Sequence, residues 1–272
     1  MQRLKPIIDR MSQISLQEMS VVKLMDRIDS KYLLNKAQLH EAFALLADSY
    51  SVQTIGGEAV APYHTLYFDT PDLQMFTMHQ NGKLTRQKLR VRRYRQNDTT
   101  FFELKNKNNR GKTLKTRLTI PMENFHNCLS LKQVSDFVAQ STIYTIDTLL
   151  QQVENHFNRI TIVDNARTER VTIDSDISFF NHATGLGNDS MTDLVVIEVK
   201  QNPSLRADSR IVAVLQQLRI QPKRVSKYCL GTVLTNPNAK YNRYKQKLRQ
   251  IEKLVRNSEF GSSGEKFFAN KK

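Results

Sequence analysis

The sequence predicts an α+β fold in which eight antiparallel strands close into a β-barrel and helices pack on its outside. Seven or eight segments of the 272-residue chain have the composition of β-strands, and few helices separate them. This order favours an antiparallel sheet over alternating strand–helix units. Closure would remove the exposed sheet edges, and a barrel of about eight strands has an interior that holds side chains or one small ligand.

Charged residues recur two positions apart within the strand-like segments. The pairs are Asp29 and Lys31, Arg90 and Arg92, Glu103 and Lys105, Lys115 and Arg117, and Glu198 and Lys200. Because successive side chains of a strand point to opposite faces, each pair projects from one face, while neighbours such as Leu89, Val91 and Ile197 suit an apolar face. So many cations on one face repel one another, which indicates that a polyanion binds there.

Turn signals separate the predicted strands. Thr70-Pro71-Asp72 and Asn81-Gly82 are typical of turns, and the polar segment 108–112 connects a predicted hairpin. The predicted strands are, in chain order, 21–34, 64–69, 84–95, 99–107, 113–121, 159–167, 170–180 and 193–201.

Helical periodicity marks the remaining elements. Asn35 is a suitable N-cap for a helix whose apolar stripe includes Leu39 and Phe43. The predicted helices are 36–48, 143–157, 205–219, 225–234 and 239–256, and Ser15 with Glu18 fits a capping box in the N-terminal segment. We expect the helices at 36–48, 143–157 and 205–219 to cover the apolar exterior of the barrel, so that its charged face lines the bore.

Net charge distinguishes the main part of the chain from its C-terminal end. The formal net charge is +15 and the pI is about 9.8, which favours an anionic partner. Residues 237–272 hold ten Lys and Arg against three Asp and Glu. We therefore expect an N-terminal helical segment at 1–20, a main domain at 21–235, and a basic helix followed by a disordered tail at 236–272.

Cysteine and histidine residues show no metal-binding spacing. Cys128 and Cys229 provide neither a disulfide framework nor a zinc motif, and a reducing, cytoplasmic location is the simplest interpretation. No signal peptide or membrane-spanning segment is predicted. Five histidines are interpreted as structural: His64, His79, His126, His156 and His182.

Six short motifs occur in order and carry a family resemblance. They are Arg27-Ile-Asp-Ser-Lys-Tyr-Leu33, Leu66-Tyr-Phe-Asp-Thr-Pro71, Lys88-Leu-Arg-Val-Arg-Arg-Tyr94, Phe102-Glu-Leu-Lys105, Val196-Ile-Glu-Val-Lys200 and Ser226-Lys-Tyr-Cys-Leu-Gly231. Together they resemble the VTC domain, the polyphosphate polymerase domain of the CYTH-like triphosphate tunnel metalloenzymes. The resemblance implies an eight-stranded tunnel that binds a triphosphate or polyphosphate along its axis, with Mn²⁺ or Mg²⁺ as cofactor.

The resemblance also implies roles for individual residues. Catalytic roles fall on Lys31, Arg90, Arg92, Lys105 and Arg167. Substrate-binding roles fall on Lys200 and Lys227, and strand alternation adds Lys115, Arg117 and Arg170 to this group. Glu198 is the implied metal ligand, with Asp29 as a second candidate. Glu103 is either a third metal ligand or the partner of a structural ion pair.

One departure from the superfamily pattern bears on the reaction. The wider superfamily begins with a Glu-x-Glu-x-Lys strand, whereas this chain has Asp29 and Lys31 with a single acid. The loss disfavours a two-metal hydrolase. The leading hypothesis is ATP-dependent synthesis of inorganic polyphosphate, and the alternatives are a tunnel triphosphatase or polyphosphatase and a non-catalytic module that binds polyphosphate or nucleotide.

The expected partners are ATP and inorganic polyphosphate. A stable nucleic-acid complex ranks last, because aromatic residues form only 8% of the chain and do not alternate with the cation pairs. Eukaryotic relatives of the resembled family lie in a membrane complex, so a protein partner at a membrane is left open.

Overall fold

The computed structural model describes residues 2–21, 27–94 and 98–256. The helices are α1 (Lys5–Ile8), α2 (Leu16–Val21), α3 (Lys36–Ala44), α4 (Gln74–Gln80), α5 (Lys132–Ser141), α6 (Arg210–Gln217), α7 (Lys227–Thr235) and α8 (Lys245–Arg256). The strands are β1 (Ser12–Ser15), β2 (Ile28–Asn35), β3 (Tyr50–Thr54), β4 (Ala61–Asp69), β5 (Arg86–Tyr94), β6 (Thr99–Lys107), β7 (Thr113–Ile120), β8 (Leu150–Asp164), β9 (Glu169–Asn181), β10 (Leu186–Asn188) and β11 (Leu194–Gln201). The predicted disordered tail, 257–272, lies outside the described residues.

Eight strands form one continuous antiparallel path, in the order β2-β11-β9-β8-β4-β5-β6-β7. Strands β3 and β10 pair with β8 and β9, and β1 joins the sheet through parallel pairing with β3. The α+β class and the large antiparallel sheet are therefore confirmed.

The sheet is not closed, so the prediction of a closed barrel is not confirmed. Among the described strands, β2 and β7 stand at opposite ends of the path and do not pair with each other. The free edge of β2 instead contacts the segment that precedes α7. The Lys223 backbone N–H donates to the Lys31 carbonyl at 2.7 Å, and Tyr32 forms a bridge with Pro222. This segment therefore lies against the edge of β2 at Lys31 and Tyr32.

Helices cover one face of the sheet in two places. We call this the convex face, which carries Ile173 and Ile197, and we call the opposite face, which carries Arg90 and Glu103, the concave face. One apolar cluster packs Leu39 and Phe43 of α3 and Ile211 of α6 against strand residues such as Ile173 and Ile197.

The Asn35 side chain accepts the Gln38 backbone N–H, and the Gln38 side chain accepts the Asn35 backbone N–H, so the predicted cap is a full capping box.

A second cluster joins α5 to strands β4, β5 and β6. Phe137 of α5 meets Phe102 edge-on, with ring centroids 5.8 Å apart, and Phe102 contacts Phe68 of β4. Val134 and Val138 of α5 are fully buried in the same cluster. Thus α5 takes the covering position that was predicted for a helix at 143–157.

The predicted helix at 143–157 is wrong, because these residues lead into the long strand β8. Ile146, Leu149, Leu150 and Val153 match a helical stripe, but the same residues also fit a short turn followed by a strand. Pairing with both β4 and β9 buries β8 centrally, and this tertiary context overrides local periodicity.

Helix α7 crosses one end of the concave face. Gly231 lies close to Phe179 and Val153, which belong to β9 and β8. Basic helix α8 packs through Leu248, Ile251 and Val255 into the cluster that contains α7. Within the described ranges, no helix is long and apolar enough to cross a membrane.

Candidate functional site

Strands β5, β6 and β7 present a cluster of cations on the concave face. In the ladder, Arg90 lies opposite Glu103, and Glu103 lies opposite Arg117. One row along, Lys88 pairs with Lys105, which in turn lies opposite Lys115. Because directly paired residues share a face, the period-2 pattern of these strands places all six side chains on one surface.

Glu103 holds two of these cations in place. It accepts from Arg90 Nε at 2.7 Å and Nη2 at 2.6 Å, and it also forms an ion pair with Lys115. The Glu103 side chain is fully buried. Burial raises its pKa, but Arg90, Arg92 and Lys115 outweigh this effect and lower the pKa of Glu103 to about 2. Glu103 is therefore ionised and fixed by its cationic partners.

Glu198 on β11 is, like Glu103, held by two basic side chains. It contacts Lys31 Nζ at 2.9 Å through one oxygen and Lys200 Nζ at 2.6 Å through the other. Burial raises the pKa of Glu198, but Lys200 and Lys31 outweigh it and hold the pKa well below its usual range. Asp29 lies opposite Lys200 in the ladder, so it shares the face diagonally with Glu198.

An additional ion-pair cluster lies between these two groups, on β8 and β9. Arg159 donates to Asp174 from Nε at 2.6 Å and from Nη2 at 2.8 Å, and Lys227 at the start of α7 contacts the same carboxylate. Burial raises the pKa of Asp174, but Arg159 and Lys227 lower it far more. This cluster attaches the first turn of α7 to the concave face.

Aromatic rings lie between the cations on the concave face. The Arg159 guanidinium lies 4.6 Å from the Tyr63 ring centroid, and that of Arg92 lies 5.5 Å from it. The Lys227 ammonium lies 4.4 Å from the ring of Phe157, which stacks on Tyr63. These contacts hold the cations in defined positions without cancelling their charge.

Four lysines of this face have pKa values below the usual one, namely Lys88, Lys105, Lys200 and Lys227. Burial, together with Arg90, Lys31 and Arg86, lowers the pKa of Lys88 to about 8. The nearby charge of Arg90 is the main cause that lowers the pKa of Lys105 well below its usual value, although Glu198 acts in the opposite direction. The Lys105 side chain remains accessible to solvent. The crowded positive charges therefore favour an anionic ligand that would relieve their repulsion.

The structure brings together nearly all of the sequence-predicted site residues. The residues on the concave face are Asp29, Lys31, Arg90, Arg92, Glu103, Lys105, Lys115, Arg117, Arg170, Glu198 and Lys200, with Lys227 reaching it from α7. Arg170 lies opposite Lys200 in the β9–β11 ladder. The predicted roles of these residues remain predictions.

Arg167 is not part of this group. It was expected on a strand, but it occupies the turn between β8 and β9 with a positive φ of 59°. Its side chain is 53% exposed and approaches Glu18 at 3.9 Å. The ordered turn around Asp164, whose carboxylate accepts the backbone N–H groups of Thr168 and Glu169, holds Arg167 away from the concave face.

Sequence reasoning missed Lys88, Arg159 and Asp174. Lys88 extends the alternation of Arg90 and Arg92 by one step, and this signal was available in the sequence. Asp174 likewise continues the alternation from Arg170. Arg159 had no comparable signal, because its segment was assigned to the junction of a helix and a strand.

The histidines were interpreted as structural because their spacing has no metal motif. Within the described part of the chain, His64, His126 and Glu154 form a group whose ligand atoms lie within 4.8 Å of one another. Glu154 pairs in register with Leu66 on β4, an apolar convex-face residue, so this group lies on the side of the sheet opposite the basic face.

The fold and its basic face define an α+β domain in which one side of a large antiparallel sheet is suited to binding anions. Residues 26–236 match the sequence model of the VTC domain. The chain therefore belongs to the VTC domain family, which confirms the family expected from its motifs. A search against curated proteins found no match.

Solved structures share this fold at low sequence identity. A candidate adenylate cyclase from Bacillus halodurans is 18% identical, with a TM-score of 0.50 and coverage of 74% of this chain and 94% of that one. A candidate adenylyl cyclase from Hippeastrum, described as having a dominant triphosphatase activity, is 14% identical. Its TM-score is 0.50, and the match covers 77% of this chain and 96% of that one. At these identities the likeness shows the fold alone.

Proposed function

We propose that this protein carries out metal-dependent phosphoryl transfer on its concave face and synthesises inorganic polyphosphate from ATP. The main support is the excess of fixed cations there: each of Glu103, Asp174 and Glu198 already contacts two basic side chains, and further cations remain. A chain of linked phosphates presents negative charge at regular intervals along a line. Such a ligand matches a surface on which cations come from several adjacent strands.

Phosphoryl transfer requires that the phosphates are aligned and that their charge is neutralised. It does not require a covalent enzyme intermediate. Arg90 and Arg92 have planar guanidinium groups suited to bidentate contact with phosphate oxygens. Lys105 and Lys200 would act as point charges along the chain. The acceptor would be phosphate or the end of the polymer, so no Ser, Cys or His nucleophile is needed.

The acidic residues of the face fit a divalent cation only in part. Mg²⁺ is commonly held by one or two carboxylates together with substrate phosphates and water, and Mn²⁺ also suits oxygen ligands. Glu198 meets this requirement, since its side chain is 18% exposed, and Asp29 lies near it in the ladder. Glu103 is a poorer ligand, because it is fully buried between Arg90 and Lys115. When bound, the ion would neutralise phosphate charge.

Triphosphate hydrolysis is the second candidate function. The Hippeastrum structure with a dominant triphosphatase activity gives it support at the level of the fold. Strand β2 argues against hydrolysis. It offers Asp29 as its single acid, whereas the wider superfamily pattern Glu-x-Glu-x-Lys has two. A module that binds polyphosphate or nucleotide without turnover is the third candidate.

The deciding experiment incubates purified protein with ATP, Mn²⁺ and a short polyphosphate primer, and resolves the products on a gel. Longer chains support synthesis. Free phosphate without chain growth would favour the triphosphatase, and tight ligand binding without either product would favour the binding module. Mg²⁺ replaces Mn²⁺ in a parallel reaction, to identify the preferred ion.

A pair of variants links the activity to the concave face. Lys105→Ala removes a solvent-accessible cation of the face, and we expect turnover to fall about 100-fold, in the range for loss of one transition-state charge contact. Arg167→Ala is the matched control, since it removes an exposed cation from the β8–β9 turn. Near-normal turnover in Lys105→Ala would refute the assignment.

A further inference from the structure

Four imidazole rings surround one carboxylate on the convex side of the sheet. Glu154 lies 2.5 Å from His64 Nε2 and 3.1 Å from His156 Nε2 through one oxygen. Through the other oxygen it lies 2.7 Å from His182 Nε2 and 3.7 Å from His126 Nδ1. The rings also contact one another, with centroids of His64 and His156 4.0 Å apart.

This cluster comes from four separate parts of the chain. His64 lies on β4, Glu154 and His156 lie on β8, and His182 follows β9. His126 lies in the irregular segment between β7 and α5. Convergence of residues so distant in sequence explains why no ligand spacing is visible in the sequence.

The cluster is buried on one side and open to solvent on the other. His64 and Glu154 are almost fully buried, with relative exposures of 7% and 8%. In contrast, the side chains of His126 and His156 are 55% and 46% exposed. An ion can therefore reach the carboxylate from solvent, and exposed His126 has room to turn toward it.

The four imidazoles converge on one carboxylate, so several potential ligand atoms lie together. Neutral imidazoles carry a free lone pair on one ring nitrogen. Together with Glu154 they form a donor set of nitrogens and one carboxylate, which suits Zn²⁺, Cu²⁺, Ni²⁺ or Fe²⁺ and suits Mg²⁺ poorly.

We propose that Glu154, His64 and His126 bind a transition-metal ion of the Zn²⁺ class, with His156 or His182 as the fourth ligand. The ligand atoms of the first three already lie within 4.8 Å of one another. Two ligands of a tetrahedral ion with bonds of about 2.0–2.2 Å lie about 3.4 Å apart. His126 Nδ1 is already 3.7 Å from one oxygen of Glu154, whereas His64 Nε2, at 2.5 Å from the other, would separate from it by about 1 Å as the ion enters between them.

The ion would fasten the segment before α5 to the sheet. Phe125 already packs on His64, with ring centroids 4.1 Å apart, and the Gln151 side chain donates to the His126 carbonyl at 2.5 Å. Neighbouring Cys128 is buried. A metal bond from His126 to β4 and β8 would add a strong link to these contacts, so the proposed role is structural.

The site is separate from the basic face. In β4, His64 stands between Tyr63 and Thr65, and both of these neighbours point to the opposite side, where they contact Arg92. Zn²⁺ at the convex site should therefore leave phosphate binding on the concave face intact. The proposal does not depend on the proposed function.

The test measures Zn²⁺ binding by tag-free, chelator-treated full-length protein in competition with a chromophoric chelator. The wild type should bind one equivalent of Zn²⁺ with an increase in Tm, and Co²⁺ should give the intense visible absorption of a tetrahedral site. His126→Ala, which removes an exposed ring, should weaken binding at least 100-fold. His40→Ala is the matched control, because His40 is an exposed histidine of α3 outside the cluster.

Three outcomes would overturn the proposal. The first is absence of stoichiometric Zn²⁺ binding by the wild type, which would indicate a hydrogen-bonded histidine–carboxylate network alone. The second is unchanged affinity in His126→Ala, and the third is an equal loss in His40→Ala. The Tm of the metal-free samples should be the same for His126→Ala and the wild type, since His126 is exposed, and of these two Zn²⁺ should raise the Tm of the wild type alone.

Discussion

Arg159 and Asp174 face each other across the β8–β9 ladder and form a two-pronged ion pair at 2.6 and 2.8 Å. Both residues are largely buried, with side chains 15% and 5% exposed. Lys227 of α7 contacts the same carboxylate. The pair therefore connects the middle of the concave face to the helix that crosses its end.

Arg159→Ala should destabilise the protein by about 3 kcal/mol, because removal of one partner leaves a buried carboxylate with a single cation. The measurement is urea unfolding without ligand. Lys132→Ala provides the control, since Lys132 pairs with Asp136 on the exposed surface of α5, and we expect a change within about 0.5 kcal/mol. Equal stability of Arg159→Ala and the wild type would contradict a structural role for the pair.

Glu198→Gln should separate phosphate binding from metal-dependent turnover. The change removes a negative charge and frees Lys31 and Lys200 from their ion pairs. We expect affinity for tripolyphosphate without metal to increase about tenfold, equivalent to roughly 1.4 kcal/mol. Turnover with saturating Mn²⁺ should instead fall about 100-fold.

Calorimetric titration measures the affinity of Glu198→Gln, and phosphate release or chain growth measures its turnover. Asp136→Asn is a control for the loss of one carboxylate, because Asp136 lies on the exposed surface of α5. If Glu198→Gln bound tripolyphosphate more weakly than the wild type, Glu198 would not be a competitor of the phosphates for these lysines.

Much of the basic face was predictable because strand alternation is a local property of the sequence. Arg90 and Arg92 lie on one face of β5. Glu103 and Lys105 of β6 lie on the same face, because Arg90 pairs with Glu103 in the ladder and Lys105 is two residues further along β6. Period-2 spacing therefore identified the residues without any knowledge of the strand order. The capping box at Asn35 was predictable for the same reason, since its two bonds join residues three positions apart.

Features that depend on distant contacts were not predictable in this way. The first half of β8, residues 150–157, was taken for a helix because its burial comes from pairing with β4 and β9. The sheet was expected to close, but β2 and β7 do not pair, and the Lys223 backbone N–H bonds to Lys31 at the edge of β2. The cluster at Glu154 draws residues from four segments, so its composition follows from the fold and not from spacing.

Affinity for a phosphate chain should decrease as pH rises through about 8. The Lys88 pKa is lowered to about 8, so this lysine is mostly protonated below that pH and loses its charge above it. A polyanion binds the protonated form, and we expect about a tenfold loss of tripolyphosphate affinity from pH 7.5 to pH 9.5 at constant ionic strength. Calorimetric titration at several pH values gives the profile.

Lys88→Arg is the control for this pH dependence. Arginine stays charged throughout the range, so the decrease above pH 8 should become shallower. Titration of the ligand itself is common to both proteins and cancels in the comparison. Superimposable profiles for Lys88→Arg and the wild type would show that Lys88 does not cause the decrease.

Gly231→Ala should destabilise the protein by about 1–2 kcal/mol. A β-carbon at this position would lie 2.5 Å from the Phe179 ring and 2.6 Å from the Val153 side chain. Overpacking typically costs about 1–3 kcal/mol, whereas the gain in helix propensity from Gly to Ala is about 1 kcal/mol. The steric cost should therefore exceed the gain, and α7 should shift away from the sheet.

Because α7 begins at Lys227, the same shift should weaken the contact of Lys227 with Asp174 and lower tripolyphosphate affinity. Urea unfolding and calorimetric titration measure the two effects on one sample. Gly187→Ala is the matched control, since a β-carbon there would lie 3.7 Å from the Phe179 carbonyl oxygen, an ordinary contact, and stability should change by less than about 0.5 kcal/mol. A Gly231→Ala protein that is as stable as the wild type would mean that Phe179 and Val153 can move apart at little cost, and that α7 is not held by this close approach.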